Sequence, residues 1–377
     1  MTDKRYQRLG QYIELVQERN KGAKNTNLMG VSIAKKFIPS IANIIGTDLS
    51  TYRVVCPGDF AFCPVTSRNG DKITVARYRG EENCIISQAY LPFRVVNEGE
   101  LDPEYLMMWA SRPEFDRYAR FHSHGSVREL FSWEEMCDVQ LPVPDIAEQR
   151  RIVAEYQTII RRIENNDRLI KTLESTIQAI YRHTFVEGVD PENLPNGWRM
   201  GELGEIAVEK ADHLSKSDIV KYKYYLPIER LPKKCMVYEE PLNAALAESS
   251  LVSFKKNDII MGAIRPYFHK VVFARTEGIT RSTCIIINPI SDGDWEYLMC
   301  LMFQDSTIQY ATAHSQGTTM PYVNWSALSK MDVVVPSGDL CIGFKNRVKP
   351  LFSSLSNIAD EQVMLKKVLS LFLSKLS

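Results

Sequence analysis

The sequence predicts an α+β protein: two tandem-duplicated mixed α/β globules separated by two long heptad helices that pair as an antiparallel coiled coil. One long helical run, its copy further down the chain, and a repeat that extends upstream of both carry that expectation. The run is Asp145–Phe185, with Ile152, Tyr156, Ile159, Ile163, Asn166, Ile170, Leu173, Ile177 and Ile180 spaced 4, 3, 4, 3 throughout. That is a heptad seam rather than the broader stripe of a surface helix. Arg and Glu fill the other faces, and no Gly or Pro interrupts before Gly188. At about 1.5 Å per residue the element spans roughly 55 Å. Moving each seam position by 192 residues, Ile152 to Phe344, gives Phe344, Val348, Leu351, Leu355, Ile358, Gln362, Leu365, Leu369 and Phe372. At the same offset Asp102–Pro144 aligns with Asp294–Pro336, so that Tyr105 meets Tyr297, His122 His314, Gly125 Gly317 and Trp133 Trp325. A repeat this long is a duplicated domain, not a solenoid.

The first globule is set at 1–144. Asp59–Val65, Lys72–Tyr78 and Asn83–Ala89 read as strands between Gly-containing turns. Asp102–Tyr118 reads as one helix with Asp102 as N-cap and Pro103 in its first turn. A loop at His122–Val127, a short helix near Trp133–Cys137 and a strand at Val139–Val143 complete it. The first spacer helix then occupies 145–187, the second globule 188–337 and the second spacer helix 338–377. In the second globule Tyr222–Ile228, Asp258–Ile264, Lys270–Ala274, Thr283–Ile287 and Met331–Val335 are strand candidates, and Glu296–Met302 is a helix before the loop Ser315–Met320. Upstream of residue 102 the repeat is looser, pairing Gly58-Asp59-Phe60 with Asn257-Asp258-Ile259 and Cys84-Ile85-Ile86 with Cys284-Ile285-Ile286. Pro350 predicts a kink in the second long helix.

The 377 residues suffice for two or three cores, and 45% apolar with 24% charged residues is the composition of an ordinary soluble protein. Formal net charge is zero, so any nucleic-acid affinity must come from local patches. Eight cysteines form no CxxC pair and read as free thiols of a reducing, cytoplasmic compartment. The N-terminus lacks the apolar core of a signal peptide, and no run approaches a membrane span.

Local patches do exist. Arg265-Pro266-Tyr267-Phe268-His269-Lys270 places cations and aromatics between two apolar strands, a tip suited to base edges in a groove. Arg68, Lys72, Arg77 and Arg79 stand on comparable ground in the first globule, as do Lys35-Lys36 and Lys233-Lys234. The loop with Gly125, Ser126 and Arg128, matched by Gly317, Thr318 and Thr319, offers main-chain donors and hydroxyls to a phosphate. The plain alternative is a turn whose glycines supply a positive φ. His122 and His124 invite a metal, but the second copy has Gln316 opposite His124 and nothing completes four ligands, so no metal is expected. Asn166 and Gln362 either sit solvated at a flare of the helices or fix the seam's register. Phosphate-loop, nucleophile-elbow, zincin and amino-methyltransferase signatures are all missing, so the chain is expected to catalyse nothing itself.

Leu141-Pro142-Val143-Pro144 running into Ile146-Ala147-Glu148-Gln149-Arg150-Arg151-Ile152 resembles the specificity subunit of type I restriction–modification systems. Leu194-Pro195-Asn196-Gly197-Trp198, then Leu203-Gly204-Glu205-Ile206, resembles the opening of that family's second recognition domain, and Gln316-Gly317-Thr318-Thr319 its last loop. The chain departs in lacking the Leu-Pro-x-Gly-Trp opening in its first half and the Glu-Gln step after Val335-Pro336. The resemblance implies that each globule reads one half of a split double-stranded DNA target, with the paired helices as spacer. It also implies two methyltransferase partner subunits, which would carry S-adenosylmethionine, and nuclease–translocase subunits for restriction; this chain itself would bind no cofactor. The competing expectation is a coiled-coil scaffold whose globules bind peptides or sugars.

Overall fold

A computed structural model describes residues 6–40, 46–67, 70–125, 129–210, 212–248, 250–291 and 293–376 as a mixed helix-and-sheet fold. The chain divides into two compact units, Met1–Arg161 with Lys367–Ser377, and Arg162–Lys366. The first contains β1 (Tyr6–Arg8), β2 (Ile13–Leu15), β3 (Met29–Val31), β4 (Phe37–Pro39), β5 (Arg53–Val55), β6 (Phe60–Phe62), β7 (Val75–Arg77), β8 (Cys84–Ile86), β9 (Leu91–Val95) and β10 (Gln140–Pro142). Helices α1 (Pro103–Ala110), α2 (Pro113–Phe121) and α3 (Trp133–Asp138) lie between β9 and β10, and α4 (Ile146–Phe185) follows. The second unit has β11 (Arg199–Glu202), β12 (Ala207–Glu209), β13 (His213–Leu214), β14 (Tyr224–Tyr225), β15 (Leu242–Asn243), β16 (Leu251–Phe254), β17 (Ile259–Gly262), β18 (Val271–Phe273), β19 (Gly278–Arg281), β20 (Cys284–Pro289) and β21 (Asp332–Val335). Its helices are α5 (Trp295–Met302), α6 (Asp305–Ala313) and α7 (Trp325–Leu328), and α8 (Gly338–Ser374) ends the described chain.

Strand pairing repeats unit for unit. The order β2-β9-β6-β7 recurs as β12-β20-β17-β18, β5-β8 as β16-β19, and β1-β10 as β11-β21. The turn before the central strand is the same in both. Asp59 accepts from the Cys56 N–H (3.0 Å) and Asp258 from the Lys255 N–H (2.7 Å), so Gly58 and Asn257 occupy one left-handed position. This topology corrects the pairing of the two Cys-Ile-Ile triplets. Cys84–Ile86 is β8, whose counterpart is Gly278–Arg281, whereas Cys284 opens β20, the counterpart of Leu91–Val95. Three buried apolar residues fit any central strand, so the shared triplet carries no register. The first half lacks the Leu-Pro-x-Gly-Trp opening but keeps the Leu-Gly step that follows it in the second half. Leu9 and Leu203 donate their N–H to Val139 and Met331 (both 2.8 Å), and Gly10 lies against Cys137, where a Cβ would collide, as Gly204 lies against Ser329, where a Cβ would be tight.

Asp102 caps α1 as expected, accepting from the Glu104 and Tyr105 N–H groups, but Asp102–Tyr118 is two helices. Pro113 cannot donate to the carbonyl four residues back and bars Arg112 from helical geometry, so the chain breaks at Ser111-Arg112. Of Tyr222–Ile228 only Tyr224–Tyr225 is strand, because β14 pairs over two residues with β15 and over one with β19. α8 runs as one helix through Pro350. Among the described residues no helix is long and apolar enough to cross a membrane.

The long helices bury their seams. In the second unit Phe185 and Tyr181 meet Phe344 (ring centroids 5.0 and 6.1 Å) at one end, while Gln362 donates to Asp167 (2.7 Å) and Arg162 forks Glu361 (3.0 and 3.1 Å) at the other. In the first unit Tyr156 lies 6.4 Å from Phe372. Asn166 and Gln362 are buried, with Asn166 donating to Glu361 (2.9 Å), which removes the solvated reading of both amides. Their own carbonyl oxygens have no partner, a cost a Leu in either place would avoid.

Candidate nucleic-acid interface

Backbone pairing sets the same loop beside the same hairpin tip in both units. After α2, His124 and Leu130 exchange backbone hydrogen bonds (3.0 and 2.9 Å); after α6, Gln316 and Tyr322 do the same (2.8 and 2.9 Å). Each loop is laced to the tip between the two strands of the adjoining hairpin. Thr66 donates to Glu129 (3.0 Å) and Phe131 to Pro64 (2.8 Å), and correspondingly Arg265 to Pro321 (2.7 Å) and Val323 to Ala263 (3.1 Å). The helix leading in is closed by a ring contact in each copy, Tyr118 with His122 at 4.2 Å and Tyr310 with His314 at 3.9 Å. Gly125 (φ 131) and Gly317 (φ 87) turn the chain with conformations that L side chains resist, in keeping with the turn reading. Gly317, Thr318, Thr319 and Met320 are all exposed.

The second tip is the more elaborate. Arg265 (φ 50) and His269 (φ 51) are both left-handed and bracket a short turn at Pro266–Phe268, a conformation worth about 1 kcal/mol of strain per non-glycine residue. Arg265 is half-buried, with a guanidinium NH2 donating to the Thr319 carbonyl (3.3 Å) and Nε unpartnered. Tyr267 is exposed, and Lys233 lies over the Phe268 ring at 4.0 Å. His269 is turned inward, 3% exposed, with Nδ1 3.2 Å from Asp305; burial lowers its pKa against the opposing pull of Asp305, so it is neutral at neutral pH. Lys270 folds back to donate to Ile228 (2.6 Å), and burial lowers its pKa too. Lys234 lies 3.6 Å from Asp305 and stays exposed.

In the first unit Lys36 and Lys72 are exposed, while Lys35 is buried in an ion pair with Asp116 (2.8 Å) and donates to Ala110 (2.5 Å). Desolvation lowers the Lys35 pKa although Asp116 pulls it up. Arg77 and Arg79 both bind Glu104. The inward direction of Lys35, Arg77, His269 and Lys270, none of them exposed, takes these four out of the outward-facing set, whereas Arg79 stays exposed although it shares Glu104 with Arg77. Arg68, Ser126 and Arg128 lie outside the described residues. His122 and His124 approach Glu135 (3.3 and 3.5 Å), and among the described residues no group of three or more His, Cys, Asp or Glu could hold a metal ion.

Sequence reasoning missed Thr66, which donates from Oγ1 to Ser123 (3.0 Å) and fixes the first loop, and Tyr322, exposed beside the second. It also missed the role of Gln149. That side chain is fully buried, donating to Glu100 and Pro144 (both 2.8 Å) and accepting from the Asp102 N–H (2.8 Å), which joins α4 to α1. The signal was the 192-residue offset, which sets Gln149 opposite Cys341.

No family profile matches the chain. In sequence it is 21% identical over 295 residues to the type I restriction enzyme MjaIX specificity subunit of Methanocaldococcus jannaschii, covering 72% of this chain and 68% of that one. It is 20% identical over 321 residues to the type I restriction enzyme EcoDI specificity subunit of Escherichia coli, covering 76% and 70%. In fold it is similar to the crystal structure of the S subunit of a type I restriction–modification system from M. genitalium, with a TM-score of 0.61, 15% identity, and coverage of 100% of this chain and 97% of that one. The resemblance drawn from Leu141–Ile152, Leu194–Ile206 and Gln316–Thr319 is therefore shown, and none of these relatives is a peptide- or sugar-binding scaffold.

Proposed function

We propose that this chain is the sequence-specific DNA-recognition subunit of a type I restriction–modification complex, each unit reading one half of a bipartite target. The observation that carries the reading is the duplication of one loop-and-tip construction, the same in backbone pairing and different in side chains. Two readers with one scaffold and unlike tips suit a split target with unlike halves. The outward-facing set consists of Lys36, Lys72, Arg79, Gly125, Lys233, Lys234, Arg265, Tyr267, Gly317, Thr318 and Thr319, with Arg68, Ser126 and Arg128 added from sequence. Lysines and loop amides are suited to phosphates, and Arg265 with Tyr267 to base edges.

On this reading the division 1–144, 145–187, 188–337 and 338–377 gives reader, spacer, reader, spacer. The heptad helices form an antiparallel coiled coil, a stiff ruler whose length fixes the gap between half-sites, since half-site spacing is a geometric property of whatever joins two readers. The chain is non-catalytic and cytoplasmic and binds no cofactor. Adenine methylation belongs to partner methyltransferase subunits, two per chain, which carry S-adenosylmethionine, and cleavage to restriction–translocase subunits.

The test is a genome-wide map of methylated adenines with and without the gene, alongside purification of the chain with its partners. Loss of one motif of two short runs around a fixed gap is the expected result. Loss of no motif, from a strain where a methyltransferase co-purifies with the chain, would sink the reading.

A further inference from the structure

Glu104 and Glu296 are the second residues of α1 and α5 and stand at the same place in the duplicated plan. In the first unit the carboxylate is filled. Arg77 donates to one oxygen (2.5 Å), Arg79 to the other, and Arg77 Nε also donates to the Gly58 carbonyl (3.2 Å). In the second unit the strand position of Arg77 belongs to Phe273, since Arg77 pairs with Phe60 in β6 as Phe273 pairs with Ile259 in β17. Arg275, two residues on like Arg79, is drawn away to Asp360 and the Tyr238 carbonyl. Glu296 is thus left 5% exposed with Oε2 unpartnered.

Beside it lies a cavity of about 420 Å³, lined among others by Glu296, Asn257, Phe273, Trp295 and Phe352. The three rings meet edge to face, at 5.0 to 5.9 Å between centroids. Trp295 Nε1 donates to the Asn257 carbonyl, the counterpart of the Gly58 carbonyl that Arg77 takes in the first unit. We propose that this cavity binds a guanidinium group, which Glu296 receives on its buried carboxylate as Glu104 receives Arg77. Lys256, Lys345 and Lys349 also line the cavity, and Lys256 and Lys349 are exposed. Their charge opposes any cation, and Lys345 and Lys349 already act on the Glu296 carboxylate, so a ligand must gain from ring packing and forked hydrogen bonds as well as from charge. A guanidinium spreads its charge, packs its faces on aromatic rings and forks a carboxylate, so it is the cation this surround tolerates. The site lies at the opposite end of the β17–β18 hairpin from Arg265, and it does not depend on the DNA-recognition reading.

Calorimetry on the full chain with agmatine, putrescine and inorganic phosphate tests the assignment. Saturable agmatine binding is expected, with putrescine and phosphate inert, and with agmatine weakened about tenfold or more in both Glu296→Gln and Glu296→Asp, as loss of a charge-assisted hydrogen bond implies. Circular dichroism confirms that each variant is folded, and the shortened Glu296→Asp serves if the amide variant is not. No agmatine binding, agmatine binding unchanged in the variants, or phosphate bound in its place would overturn the proposal, the last by giving the cavity to the lysines.

Discussion

The two units solve one problem, holding a long helix against a globule, with opposite chemistry. In the first unit the junction is polar: Gln149, fully buried, satisfies two carbonyls and one N–H at the start of α4. In the second unit Cys341 stands at that place in α8, buried with Asp294 beside its thiol, and Tyr181, Phe185, Tyr297 and Phe344 pack ring against ring close by. The Tyr hydroxyl that ties α1 or α5 to the closing strand is kept in both, Tyr105 to Pro142 and Tyr297 to Val334. Duplication therefore conserves what defines the backbone path and lets side chains exchange hydrogen bonds for burial. A polar clamp demands one geometry, whereas an aromatic cluster is held by area and tolerates small shifts.

The largest effect follows from removing the aromatic keystone. Phe344, 2% exposed, touches both Tyr181 and Phe185, so Phe344→Ala is expected to cost about 3–5 kcal/mol of stability. Hydrogen exchange read segment by segment should show the loss of protection within residues 162–366. Equal loss in the first unit would mean that the two units unfold as one body. The polar clamp comes next. Gln149→Leu leaves the Asp102 N–H and two carbonyls unpaired, and is expected to cost about 2–3 kcal/mol, read by urea denaturation and localised to the first unit. A cost well under 1 kcal/mol would show the clamp to be replaceable by burial, and would dissolve the contrast between the junctions.

The long helices were legible because a heptad seam is a local, repeating signal that needs no knowledge of partners; all eighteen seam positions are buried or half-buried. The tandem duplication was legible for the same reason. β16 and the split between α1 and α2 were not, the first because Leu251–Phe254 lacks alternation and is buried on both faces, the second because the apolar pattern continues across Pro113 while its ring ends α1. The site was half legible. The sequence marks which loops carry cations and glycines. It cannot say that Lys35 meets Asp116 or Arg77 meets Glu104, since those pairings depend on the finished fold.

The tips extend the contrast to function. Arg265 and Thr66 are corresponding tip residues, each donating its N–H to the neighbouring loop, but only Arg265 brings a guanidinium. Arg265→Ala is expected to weaken discrimination at one half-site by about 1–3 kcal/mol, while Thr66→Ala disturbs the other half only through its loop. Binding measured against targets mutated in one half at a time separates the two. Equal loss at both halves in either variant would contradict one reader per unit.

The smallest effect tests a single carboxylate inside the apolar junction. Glu174 in α4 is 7% exposed and accepts from the Met236 N–H (2.6 Å), and desolvation by burial raises its pKa although that hydrogen bond pulls it down. A folded-state pKa above the unfolded one means that the protonated form is favoured on folding. That contribution is fully present below the unfolded pKa and is lost as pH rises through the folded value, so the second unit should weaken as the medium passes from acid toward neutral. Glu174→Gln keeps an oxygen for Met236 without the charge. It is expected to flatten this slope and to leave stability at neutral pH equal to or slightly above that of the parent. At the corresponding junction of the first unit the buried clamp is Gln149, which is neutral at every pH. A slope that survives in Glu174→Gln would assign the pH dependence to another buried acid, with Glu296 the next to replace.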